Sequence, residues 1–410
     1  MHDKTILMIG CFDTKAEDFA FLYACLEALN VNIISINTGV RGEPNTFPVT
    51  IDAAAVARET DTTLAELQST NHRSIVVEKM GQGAARVIAR LMTKGKVDGA
   101  IGMGGGGGTF IVLSAMQAIP VGIPKFCLST MAAKDLSRQV GAKDIVLMPS
   151  IVDIAGLNSV SRLLIQQAAA GLVGMARTEK VEQEKDLGSI AISMFGNTTP
   201  CVEKCTAVLK ERGYEVLAFH AVGVGGQTME ALIREGFFVG VLDVTTTELA
   251  DELCDGICSA GPKRLTAAAE IGIPQIVVPG CLDMVNYAHL DTVPDRYQNR
   301  QLYSWAPDVT LMRTNEMENH QLGKNIAEKL NNSKGPVTIV LPLQGISIVS
   351  SPGGVFHRPE VDQVLFETIQ DHIRPDIPIL KMKANINDEV FAQKLVETLL
   401  DQINNHSIKK

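Results

Sequence analysis

The chain has 410 residues, of which 46% are hydrophobic, more than one ordinary core organises, so two domains are expected. A formal net charge of −9 argues against nucleic acid or an anionic membrane as the main partner. Eight cysteines scattered through apolar segments are no secreted disulfide scaffold; with no apolar run near ~18 residues and a strand-like start straight after Met1-His-Asp-Lys4, a soluble cytoplasmic protein is expected.

Thr5 to Gly10 is a continuous apolar strand, followed by the polar turn Cys11-Phe-Asp-Thr-Lys15. Ala16 to Leu29 carries Phe19, Leu22, Leu26 and Leu29 at helical spacing, and Val31 to Ile36 is a second strand. Thr14-Lys-Ala-Glu17 spells a capping box. Lys15 sits badly for the helix dipole unless an anion compensates, which makes it a candidate phosphate contact, with Asp13 and Thr14 of the same turn as candidate cofactor-binding residues. Arg41 to Gly83 holds a proline-containing loop and then an amphipathic helix.

Val97-Asp-Gly-Ala-Ile101 predicts a buried strand, Gly104 to Gly108 are five consecutive glycines, and Thr109 to Gln117 predicts a helix. Strand, glycine turn and helix N-terminus together form an anion site, because bare backbone N–H groups can wrap a phosphate. No Lys-Ser/Thr pair follows the glycines, so this is not the P-loop pattern. Ser129 and Thr130 follow the strand Phe126-Cys-Leu128 and suit phosphate or ribose. Asp153, after the apolar Ile145 to Ile151, is a candidate magnesium ligand, since Mg²⁺ beside phosphates commonly uses one or two carboxylates.

After a helix over Ser161 to Arg177, the charged run Thr178 to Asp186 is the expected linker, dividing domains 1–180 and 187–410. The opening plan then recurs: strand Ile190 to Phe195, the turn Gly-Asn-Thr-Thr199, a helix from Pro200, and strand Tyr214 to Phe219. Val97 to Gly104 aligns with Phe238 to Thr245, and Val121-Gly-Ile-Pro124 with Ile271-Gly-Ile-Pro274. The chain therefore reads as an internal duplication of a doubly wound α/β unit with parallel sheets. Pro336 to Pro342 and Ile377 to Lys381 predict further strands, and Asp388 to Ile403 a closing helix.

Where the first copy has its glycines, the second has Asp243-Val-Thr-Thr-Thr-Glu248, again with a capping-box pattern at Thr245 and Glu248. With Asn197, Thr198 and Thr199 at the neighbouring strand end, Asp243, Thr245, Thr246, Thr247 and Glu248 are expected to line a pocket for a small oxygenated ligand. Arg313 is a candidate for binding a carboxylate or phosphate, and His357 for acid–base work. Cys201/Cys205 and Cys254/Cys258, on predicted helices, are expected to pack rather than ligate metal.

Asp13-Thr-Lys15, Gly102-Met-Gly-Gly-Gly-Gly-Gly-Thr109, Ser129-Thr-Met131, Val152 to Asn158, Leu242 to Glu248, Pro279 to Asn286 and Ser351-Pro-Gly-Gly354 occur in order over nearly the whole chain. In these motifs the sequence resembles uncharacterised protein family 0261, which includes a region of a plant virus-resistance protein. The resemblance implies two Rossmann-like domains, ATP held through the glycine turn of the first, and a homodimer.

The expected function is ATP binding in the first domain, with magnesium, by an enzyme that activates or phosphorylates a small hydroxy or carboxylic acid in an interdomain cleft. The alternative is a non-catalytic ATP-binding module whose nucleotide sets domain orientation for a protein partner. A nicotinamide-dependent dehydrogenase is disfavoured, because Asn37 stands where the acidic ribose contact belongs.

Overall fold

Thr5–Gly10 (β1) is apolar throughout because it is covered on both faces, the condition of a central strand in a parallel sheet. It pairs in parallel with Asn32–Asn37 (β2) on one side and Gly99–Gly104 (β3) on the other; Lys125–Ser129 (β4) and Ile145–Pro149 (β5) complete the order β2-β1-β3-β4-β5. Leu7 and Ile9 pack with Val56, Met80 and Val112 of the helices on one face. Ile6 and Met8 pack with Phe19, Leu22 and Leu172 of Ala16–Ala28 and Ser159–Ala176 on the other. The computed structural model describes residues 4–95, 97–179 and 187–407. The expected linker Thr178–Asp186 lies, from Lys180 onward, outside the described residues, as do Met1 to Asp3.

The chain divides into two units, Met1–Val181 and Glu182–Lys410. In the second, Ser189–Met194 (β6), Glu215–His220 (β7), Phe238–Thr245 (β8) and Gln275–Gly280 (β9) precede an excursion, and Val337–Pro342 (β13) and Ile379–Met382 (β14) follow it. These six strands are parallel, in the order β14-β13-β9-β8-β6-β7. Counted from its own first strand, the second unit repeats the 2-1-3-4-5 order of the first and adds a sixth strand.

The repeat extends to register. Ile6 pairs with Gly99 and Ala100 with Lys125; Ile190 pairs with Gly240 and Val241 with Gln275. Ala100 donates its N–H to Pro124 O and Val241 to Pro274 O, each at 2.9 Å. A Cβ on Gly99 would come within 3.3 Å of Leu172, and one on Gly240 within 3.1 Å of Leu399. Both are side chains of the unit's last helix, so each glycine lets that helix close on the sheet.

The excursion is a three-stranded antiparallel sheet of Met284–Tyr287 (β10), Leu302–Ala306 (β11) and Val309–Arg313 (β12), in the order β10-β12-β11. The sequence reading did not anticipate it. Strands of four or five residues without clean alternation give little periodic signal.

Candidate functional site

In the first unit the strand order reverses between β1 and β3, and the crevice beyond the carboxyl ends of such strands is where open α/β sheets bind ligands. The expected phosphate residues gather there. β3 ends at Gly104, Gly105 is the N-cap, and the helix Gly106–Met116 begins inside the glycine run rather than at Thr109. A Cβ on Gly104 would lie 2.6 Å from Gly108 C and 2.7 Å from Thr109 N, so only glycine permits this turn. The first-turn amides have no acceptor within the helix. A Cβ on Gly106 would meet nothing within 4 Å.

Thr109 and Ser129 are buried beneath the turn, their hydroxyls 2.6 Å apart; Thr109 donates to Gly104 O and Ser129 accepts from Met131 N. They fix the turn against β4. Thr130 is exposed, and its Oγ1 would lie 3.7 Å from a Cβ on Gly105. Beside it, Ser129, Thr130, Ala133, Ser150, Ile151 and Asp153 line a cleft of about 520 Å³. Asp153 is exposed there, and no cluster of three metal-ligating side chains occurs among the described residues. Ile151 adopts φ +63° and is 77% exposed, a strained conformation for a β-branched residue.

At the end of β1 the capping box is absent. Lys15 is the N-cap, no side chain caps the helix, and Thr14 Oγ1 turns back to Cys11 O. Lys15 Nζ donates to Ile154 O, and Asp18 accepts from Gly156 N at 3.2 Å, so this turn clamps the segment after β5. Asp13 Oδ2 accepts from Arg41 N, while its Oδ1 is buried without a donor. Asn37 organises the adjacent loop by accepting from Phe12 N and Gly39 N. A cation missing from the sequence reading stands here too: the guanidinium of Arg73 lies 3.4 Å from where a Cβ on Gly107 would be. Its position at a distant helix start gave no signal in the sequence. Burial pushes the Cys11 thiol up, and its hydrogen bond with Thr38 partly offsets this.

The second unit fills its strand ends with its own side chains. Fully buried Arg264 forks onto Asp243 at 2.5 and 2.6 Å, and donates Nε to Glu248 at 2.5 Å and Nη2 to Thr245 O at 3.1 Å. The space expected for a small ligand at Asp243–Glu248 thus holds a guanidinium. Glu248 is not a capping-box partner of Thr245; its Oε1 accepts from Gly223 N at 2.8 Å and Gly226 N at 3.1 Å. It thereby caps the glycine-led helix Val224–Arg234 with a carboxylate. Burial nevertheless raises the Glu248 pKa, against the pull of Arg264.

The other expected ligand residues are also engaged internally. Thr198 shares a 2.7 Å hydroxyl contact with Thr245, Thr199 donates to Phe195 O, Thr246 donates to Val278 O, and Thr247 accepts from Asn286. Asn197 is buried, with Oδ1 lacking a donor. Arg313 forms a buried ion pair with Asp362 at 2.7 Å and donates to Phe356 O. His357 is exposed in its loop, with Nδ1 3.0 Å from Ser350 O. Cys201 and Cys205 are buried in the core; Cys254 ends its helix and Cys258 lies beyond it.

Fold and site together define a two-domain, Rossmann-like α/β protein with a glycine-led helix at the crossover of its first sheet. The model of the uncharacterised protein family (UPF0261) N-terminal domain matches residues 4–181, and that of its C-terminal domain residues 188–403. The chain belongs to this family. It is 42% identical to a UPF0261 protein of Clostridium tetani over 98% of this chain and 99% of that one, and 38% identical to one of Rhizobium meliloti over 98% and 100%. It is also 34% identical to the tomato ToMV resistance protein Tm-1(GCR237), over 98% of this chain and 56% of that protein. No helix among the described residues is long and apolar enough to cross a membrane.

Proposed function

We propose that this is a cytoplasmic, homodimeric ATP-binding protein whose first domain holds the nucleotide phosphates on the amides of Gly105 to Gly108. The observation that carries the reading is the contrast between its two glycine-led helices. Glu248 supplies the anion at Gly223–Gly226, whereas a Cβ on Gly106 would meet no side chain within 4 Å and the Arg73 guanidinium lies 3.4 Å from a Cβ placed on Gly107. Lys15 adds a second positive charge at the end of β1, with ammonium hydrogens beyond the one given to Ile154 O. On this reading Asp153, which lines the adjoining cleft, is the carboxylate that would hold magnesium, since phosphate-bound Mg²⁺ commonly uses one or two.

A second reading, the non-catalytic module, is favoured over an enzyme acting on a small acid by Arg264, which fills the Asp243–Glu248 region. The test is calorimetric titration of the native chain and of Gly106→Asp with Mg-ATP, with ADP release followed in the same samples. Binding by the native chain, lost in a variant with unchanged far-UV circular dichroism, is the expected result. Equal binding by both, or by neither, overturns the site. ADP release stimulated by particular small acids would restore the enzyme reading.

A further inference from the structure

We infer that the cleft after β4 and β5 is the nucleoside half of the nucleotide site, and that Ile151 is held in an unfavourable backbone conformation so that its side chain packs on the base. The inference rests on the ATP reading above and says which way round the nucleotide lies.

Ile151 is the centre of a three-residue turn in which Val152 donates its N–H to Ser150 O at 2.6 Å. With φ +63° at its centre, this is the rarer, strained hand of such a turn. Two more bonds lock it: Ser150 Oγ donates to Val152 O at 2.6 Å, and Ser150 N donates to Ser129 O at the end of β4 at 3.1 Å. Among the described residues, Ile151 is the only β-branched one with positive φ. Asn30, Asp61 and Asp255 are of types that tolerate this region, and Leu265 and Cys281 are buried, so that packing offsets their strain. Ile151 has neither compensation, being 77% exposed. An isoleucine that costs backbone energy and gains no core packing has its partner outside the folded chain.

The cleft it borders gives the chemistry of that partner. The volume, about 520 Å³, is that of a small-molecule site. Its walls combine apolar Ala133, Pro149, Ile151 and Val152 with the hydroxyls of Ser129 and Thr130. A nucleoside pairs the same two surfaces, a flat apolar base and a hydroxyl-bearing sugar. Among the described residues no Lys or Arg lines this cleft, so it does not suit the phosphates.

The cations stand at the other end. From Ile151 the chain runs on to Ile154, whose carbonyl accepts from Lys15 Nζ, and the Arg73 guanidinium lies beside Gly107. The nucleotide therefore lies with its base at Ile151 and its phosphates at Lys15 and the glycine amides. Asp153 falls between these two ends in the chain.

The test is calorimetric titration of the native chain, Ile151→Gly and Ile151→Val, each with Mg-ATP and with magnesium tripolyphosphate, which has the phosphates and no nucleoside. The native chain should bind ATP more tightly than tripolyphosphate. In Ile151→Gly the ATP affinity should fall about tenfold or more, the worth of one buried aliphatic side chain, with tripolyphosphate affinity unchanged. The same variant should melt at a higher temperature than the native chain, because glycine relieves the strain. Ile151→Val, which keeps the apolar wall, should keep ATP binding near native. Unchanged ATP affinity in Ile151→Gly, equal loss of both ligands, a lower melting temperature, or a native chain that does not tell ATP from tripolyphosphate overturns the nucleoside assignment and leaves the glycine turn as the phosphate site. A native chain that binds neither ligand overturns both readings.

Discussion

Asp251 shows how a single residue can make stability depend on pH. Its carboxyl is buried and accepts from Cys258 N and Asn286 N on one oxygen and from Asn286 Nδ2 on the other. Burial raises its pKa from 3.8 to about 7, against those hydrogen bonds, and burial does the same for Asp283, against Arg313. The folded chain keeps these protons at pH values where the unfolded chain has released them. The stability they contribute is therefore complete below the unfolded pKa and is lost as pH rises toward 7. Asp251→Asn, which carries no charge to desolvate, should gain on the native chain by roughly 2 kcal/mol between pH 5 and pH 8. Urea denaturation at both pH values measures this, and a pH-independent difference would refute it. None of this was legible in the sequence, where Asp251 was one acidic residue of a helix. What raises its pKa is burial among segments far apart in the chain.

At the scale of elements, the opening strands of both parallel sheets were legible and the short antiparallel strands β10, β11 and β12 were not, and the reasons are local. β1 and β6 are uninterrupted apolar runs, and the Ile-Pro pairs before β4 and β9 mark the same register in both units. The two capping boxes misled because a four-residue pattern carries no knowledge of neighbours. Lys15 reached Ile154 instead, and Glu248 found two glycine amides and a guanidinium. Arg264 itself lies in the aperiodic Ser259-Ala-Gly-Pro-Lys-Arg264, where a basic residue suggests only solvent. It ties β8 to the helix Val224–Arg234 through Asp243, Glu248 and Glu230, and Glu230 also accepts from Leu265, Thr266 and Ala267 N. Arg264→Met leaves three carboxylates without their partner. It should cost about 3–5 kcal/mol in chemical denaturation, with the loss confined to the second unit.

For the whole molecule, two units with separate sheets and separate cores should melt as two cooperative transitions in scanning calorimetry. On the nucleotide reading, Mg-ATP at about a hundred times its Kd adds about 2.7 kcal/mol to the first unit and nothing to the second. Movement of both transitions, or of the other one, would contradict that assignment; the variant Arg264→Met identifies which transition belongs to which unit.

Glu248 has a consequence for the protein's life in a cell. A helix end that carries its own carboxylate keeps its anion through starvation, whereas one that borrows a phosphate loses it when nucleotide runs short. Under the ATP reading, the first half alone would then open more often to proteases. The abundance of intact chain would follow the energy supply, with the first cuts falling before residue 182.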